Sequence, residues 1–179
     1  MFQSFSKIIL FSAAFLLTAF SIQAQTWKIL PGYNIKFSGR SAEGTFSGLS
    51  GIILFDPANP TSGKFDVQVS ANTINTGNTK KNSDARGSSW LNTSKYPIIH
   101  FVSKSIAKSG AGFVVKGTMT MHGVSLPVSI PFTFQEKGSQ GQFTGKLSLT
   151  RQDYNINGPM MSFIVGSDFD ISLMVPVGK

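Results

Sequence analysis

The chain contains no cysteine, only two histidines, and eight acidic side chains against sixteen basic ones in 179 residues. Without cysteine there is no disulfide to staple the fold and no thiol to carry a lipoprotein anchor, so stability must come from buried apolar area and backbone ladders. Neither His100 nor His122 has a second histidine or a carboxylate at ligand spacing, so no metal site is expected. Ser125 lies near His122 but lacks a nucleophile elbow and an orienting acid, and the carboxylates are scattered, with Asp168 and Asp170 on the polar side of a strand. No catalytic residue is assigned, and the chain reads as non-enzymatic. The basic residues form no aromatic-interleaved stripe, which argues against nucleic acid as partner. A surplus of eight positive charges suits peripheral contact with an anionic membrane surface or a phosphate-bearing ligand, and equally a plain soluble surface. Oligomeric state is left open, a homodimer included.

Long apolar runs are also missing, with one exception. Lys7 precedes the apolar run Ile8 to Phe20, and Ile22-Gln23-Ala24 follows with a small residue at its end. That is the order of a secretory signal, with cleavage expected after Ala24. The run is shorter than the ~18–20 residues a membrane span needs. The sequence therefore predicts a leader at 1–24 and a single domain at 25–179, released to the periplasm or secreted.

What remains is dominated by a period of two. Phe65, Val67 and Val69 alternate with Lys64, Asp66 and Gln68; Leu126, Val128, Ile130, Phe132 and Phe134 share one parity. So do Phe143, Leu147 and Leu149, and again Phe169, Ile171, Leu173 and Val175. Strict alternation means strands with one apolar and one wet face. Further strands are expected at Trp27–Ile29, Tyr33–Phe37, Thr45–Phe55, Ile98–Val102 and Phe113–Met121, with another near Tyr154–Ile156, where Arg151 and Asp153 would share a face. His122-Gly123 and Lys137-Gly138-Ser139-Gln140-Gly141 signal hairpin turns. Asn72 to Ser89 is polar and irregular, with a short helix expected near Ser83–Leu91. The fold class is all-β. About eight antiparallel strands close economically as a barrel, although a two-sheet sandwich shows the same alternation.

Four stretches in register resemble the YceI-like family of exported lipid-binding proteins. They are Gly44-Thr45-Phe46-Ser47-Gly48-Leu49-Ser50-Gly51 running into Ile53-Leu54-Phe55-Asp56-Pro57; Tyr96-Pro97-Ile98-Ile99-His100-Phe101-Val102-Ser103; Val115-Lys116-Gly117-Thr118-Met119-Thr120-Met121-His122-Gly123-Val124; and Arg151-Gln152-Asp153-Tyr154-Asn155-Ile156 with Val165-Gly166-Ser167-Asp168-Phe169. The resemblance implies a lipocalin-like antiparallel barrel with an apolar tunnel for a long isoprenoid chain or quinone, and no other cofactor. The chain departs from the family's R-D-x-H-L-R stretch, having Lys81-Asn82-Ser83-Asp84-Ala85-Arg86 there. If that segment shapes the pocket mouth, ligand choice differs from that of better-matched relatives.

The inward parity set supplies the pocket candidates: Phe37, Phe46, Ile53, Phe55, Phe65, Val67, Val69, Ile99, Phe101, Phe132, Phe134 and Phe169. Ordinary core packing is the competing role for each of them. Trp90 and Leu91, large apolar groups in a polar segment, fit a lid or a plug at the barrel mouth. Lys80, Lys81 and Arg86 are the candidates for contact with a polar or phosphate head group, with ordinary loop charges as the alternative. An envelope interaction module with a filled core is the rival to a lipid carrier.

Overall fold

The computed structural model describes residues 24–159 and 164–179; the expected leader, apart from Ala24, lies outside them. The alternating segments are strands, all paired antiparallel. In chain order they are β1 (Thr26–Ile29), β2 (Asn34–Ser38), β3 (Glu43–Phe46), β4 (Ser50–Leu54), β5 (Lys64–Ser70), β6 (Ile98–Ser109), β7 (Gly112–Met121), β8 (Val124–Lys137), β9 (Gln140–Thr150) and β10 (Asp168–Gly178).

These segments make an eight-stranded up-and-down barrel, because β1 and β2 are two halves of one stave, as are β3 and β4. The last strand demonstrates this. β10 pairs with β2 over Asp170–Met174 and with β1 at Val177 and Gly178, closing the sheet on itself. Closure, and not a sandwich, is therefore the outcome, and it removes the free edges an open sheet would have to protect. The interruptions have local causes. Pro31-Gly32 turns the first stave, with Gly32 at φ 91°. In the second, Gly48 sits at φ 71°, a left-handed backbone between β3 and β4 that glycine adopts freely. The Tyr33 hydroxyl bridges this gap, accepting from the amides of Gly48 (2.8 Å) and Leu49 (3.2 Å).

Three sequence expectations need correction. Arg151–Tyr154 is a 3₁₀ turn and not part of a strand; Asn155 ends it at φ 56°, a left-handed backbone that Asn tolerates well. Arg151 is buried there while Asp153 is exposed, so the two do not share a strand face. The helix, α1, runs Thr79–Arg86, earlier than expected, because the Asn78 side chain caps it by accepting from the Lys81 amide at 2.9 Å. β6 is also longer than Ile98–Val102. A register shift between Ser103 and Ser105 breaks the alternation, so Phe101 and Ile106, an odd number of residues apart, both point inward.

Packing divides the barrel into two unequal halves. At the end holding both chain termini of the domain, the interior is solid. Phe55 is fully buried at the centre of a ring cluster, with centroids of Phe113 at 5.0 Å, Phe134 at 5.3 Å, Phe132 and Phe143 at 5.5 Å, and Phe65 at 6.0 Å. Most of these pairs meet edge to face, the favoured arrangement for aromatic quadrupoles. Trp27 completes the plug and donates its indole N–H to the Phe55 carbonyl at 3.0 Å. The other half is hollow.

Candidate functional site

Above the plug lies a cavity of about 800 Å³ that opens to the surface at the far end. Its floor is a triangle of rings, Phe65, Phe132 and Phe143, with mutual centroid distances of 5.5–5.8 Å. The walls follow from strand parity. On β10, Phe169, Ile171, Leu173 and Val175 line the cavity, whereas Val177 lies below it in the plug; on β9, Leu149, Leu147 and Phe143 descend in step. Six residues of strand rise at ~3.3 Å each, tilted by ~40°, give a depth of about 15 Å. Val67, Val69, Ile99 and Phe101 form the opposite wall. Near the mouth Phe37 contacts Phe46 (5.4 Å) and Phe169 (6.0 Å), making an aromatic collar.

The polar segment between β5 and β6 covers part of this mouth. α1 buries no side chain of its own and is held by polar ties. Asn82 Oδ1 accepts from the Thr76 amide (2.7 Å) and hydroxyl (2.8 Å), and Arg86 donates to the carbonyls of Asn72 (2.8 Å) and Ile74 (3.2 Å). Thr45 and Asn75 exchange backbone hydrogen bonds of 2.8 and 2.9 Å, fixing the segment to the barrel rim. The tight turns after Gly87 direct Trp90 and Leu91 to the cavity. Trp90 also lies over the guanidinium of Arg151, 5.2 Å from ring centroid to Cζ.

Arg151 is the buried charge of the mouth, 6% exposed. It donates from Nε to the Gly166 carbonyl (2.8 Å) and from Nη1 to the carbonyls of Ile156 and Asn157, both at 2.6 Å. Burial pushes its pKa below the usual arginine value, yet a guanidinium stays charged at any physiological pH. One planar fork thereby ties the 3₁₀ turn to the approach to β10. His122, at φ 52° in the β7–β8 hairpin, places Nδ1 3.1 Å from the Tyr154 carbonyl and its ring 4.5 Å from that of Tyr96. Its place is structural, outside the cavity.

Of the apolar candidates, all line the cavity except Phe55 and Phe134, which belong to the plug beneath it. Parity placed these two inward correctly; parity carries no information on how far along the barrel the filling extends. Of the cationic candidates only Lys81 lines the mouth. Lys80 is turned to solvent and pairs with Asp84 at 3.1 Å, and Arg86 is consumed by its two carbonyls. Arg40, in the turn between β2 and β3, lines the mouth and was not anticipated; a lone arginine in a polar turn gives no signal in sequence. Asp84 and Ala85, two of the residues that depart from the family stretch, also line it. His100 does face outward, but folding supplies the carboxylate that its sequence neighbours lack: Asp66 Oδ1 lies 2.8 Å from Nε2 on the outer wall.

The YceI-like domain model matches residues 22–176. A UPF0312 protein of Yersinia pestis is 30% identical over 131 residues, covering 69% of this chain and 68% of that protein. Protein YceI of Escherichia coli is 31% identical over 123 residues, covering 63% and 62%. Among solved structures, BcnA of Burkholderia cenocepacia aligns with a TM-score of 0.76 at 24% identity, over 80% of this chain and 95% of that one. A polyisoprenoid binding domain from Saccharophagus degradans aligns with a TM-score of 0.60 at 13% identity, over 86% and 93%. At these identities the structural likeness is one of fold.

Proposed function

The chain belongs to the YceI-like family, and from that premise we propose that it is an exported, non-enzymatic carrier of an isoprenoid-type lipid or quinone. The observation that carries this reading is the apolar cavity of about 800 Å³ set above a fully packed plug. A barrel serving only as an interaction scaffold gains nothing from leaving half its interior hollow, since interiors otherwise pack to crystal density. The solved polyisoprenoid binding domain with the same fold supports the class of ligand.

The physics is sequestration. About 20 methylene-sized groups taken out of water gain on the order of 16 kcal/mol. Association costs of roughly 4–15 kcal/mol leave a usable affinity. The tail enters first, because among the described residues the lining is apolar down to the floor and the charged side chains sit at the mouth. There Glu43 is paired with Lys36 (3.2 Å) and Asp84 with Lys80 (3.1 Å), which leaves Lys81 and Arg40 to meet a polar or anionic head group. Ile164, 50% exposed beside the mouth residue Val165, gives the open end an apolar contact for a membrane surface during loading. Delivery to the periplasm or medium rests on the leader at 1–24, and amino-terminal sequencing of the exported protein should begin at Gln25.

Native mass spectrometry and solvent extraction of the purified protein test the carrier reading, with uptake of a fluorescent polyprenyl probe as the second arm. A co-purifying isoprenoid or saturable uptake is expected. Repeated recovery without lipid, together with no uptake, overturns it.

A further inference from the structure

We propose that the ring triangle Phe65, Phe132 and Phe143 is a capacity stop that selects prenyl tails of about five isoprene units or fewer. The inference rests on the lipid reading above and deepens it. A tunnel open at both ends would take tails of any length. This cavity is blind. Each of the three rings faces the void on one side and is seated on Phe55 on the other, at 5.5–6.0 Å, and Phe55 has no exposed surface. The floor is backed by packed aromatic carbon and cannot yield without moving the plug. At roughly 30 Å³ for each water-sized group, 800 Å³ holds on the order of 25 heavy atoms, which is about five isoprene units. With a depth of about 15 Å a tail of that length must fold back on itself, so total volume, and not extended length, is limiting. Carbons beyond the capacity remain at the mouth among Arg40, Glu43, Lys81 and Asp84, where they gain no burial.

Prenyl alcohols of about three to eight isoprene units, competed against a fluorescent polyprenyl probe on the mature protein, test the stop. In the wild type the dissociation constant should fall by at least tenfold per added unit and level off at about five units. Phe65→Ala, which opens the floor, should move the plateau to longer tails by about one unit. Val67→Phe, which projects a ring into the void one layer above the floor, should move it to shorter tails by about one unit. Plateaus that coincide in the wild type and both variants overturn the stop while leaving the carrier intact, as does a wild-type affinity that keeps rising through the longest tail. If Phe65→Ala does not fold, Val67→Phe decides alone. Failure of the wild type to take up any member of the series overturns the carrier reading, and the stop with it.

Discussion

Replacing Phe55 by alanine should separate the solid half of the barrel from the hollow half more sharply than any other substitution. Phe55 has no solvent exposure and five aromatic neighbours at 5.0–6.0 Å. The surrounding rings cannot collapse into the space, because they are anchored on four different strands, so both the transfer loss and the cavity penalty apply. The upper part of the Phe→Ala range, about 4–5 kcal/mol, is expected. Leu149→Ala is the matched control. Leu149 is half-buried, lines the existing void and creates no new one, so the cavity penalty vanishes and about 1 kcal/mol is expected. For a domain of this size each kcal/mol is worth roughly 2–4 °C, giving about 8–20 °C for Phe55→Ala and only a few degrees for Leu149→Ala. Urea titration followed by circular dichroism, on lipid-extracted protein, measures both. Equal losses for the two variants would refute the division of the interior into plug and cavity.

Three further outcomes follow from particular side chains. Tyr154 is 2% exposed and its hydroxyl makes no hydrogen bond to a protein atom, so Tyr154→Phe should raise stability by about 1 kcal/mol by removing a desolvated polar group. Burial first, and the charge of Asp153 second, raise the Tyr154 pKa; the stability this holds is intact below the unfolded value of about 10 and is lost as pH climbs through the folded pKa. Alkaline denaturation should therefore be blunted in Tyr154→Phe. Arg151→Lys should cost about 3 kcal/mol or more in thermal unfolding, because one ammonium cannot span the Gly166, Ile156 and Asn157 carbonyls that the guanidinium fork reaches. Of the two tryptophans, Trp90 borders the cavity and Trp27 is sealed in the plug. Polyprenyl binding should shift emission in Trp27→Phe but leave it unchanged in Trp90→Phe.

The strands were legible because a period of two survives wherever one face is buried, and β5, β8, β9 and β10 keep it over most of their lengths. β6 shows where that legibility stops. Its bulge shifts parity between Ser103 and Ser105, so alternation truncates the strand at the residue where the sheet begins to bend. Arg151 shows a different limit. Its role depends on carbonyls presented by a turn, and carbonyls are common to every residue, so no side-chain pattern announces them. The site divides along the same line. Which residues face inward is a local property of each strand, and every apolar candidate taken from parity does face the interior. Whether the interior is filled depends on side-chain volumes summed across eight staves at one level of the barrel. That sum places Phe55 and Phe134 under a floor made by Phe65, Phe132 and Phe143, residues drawn from three strands and separated by up to 78 positions in sequence. Head-group contacts are harder still. Lys80 and Lys81 are adjacent, yet the helical turn sends one to Asp84 in solvent and the other to the cavity mouth. A lysine pair in a polar loop therefore predicts charge near the mouth, and only the cap at Asn78, which sets the phase of α1, decides which of the two can reach a ligand.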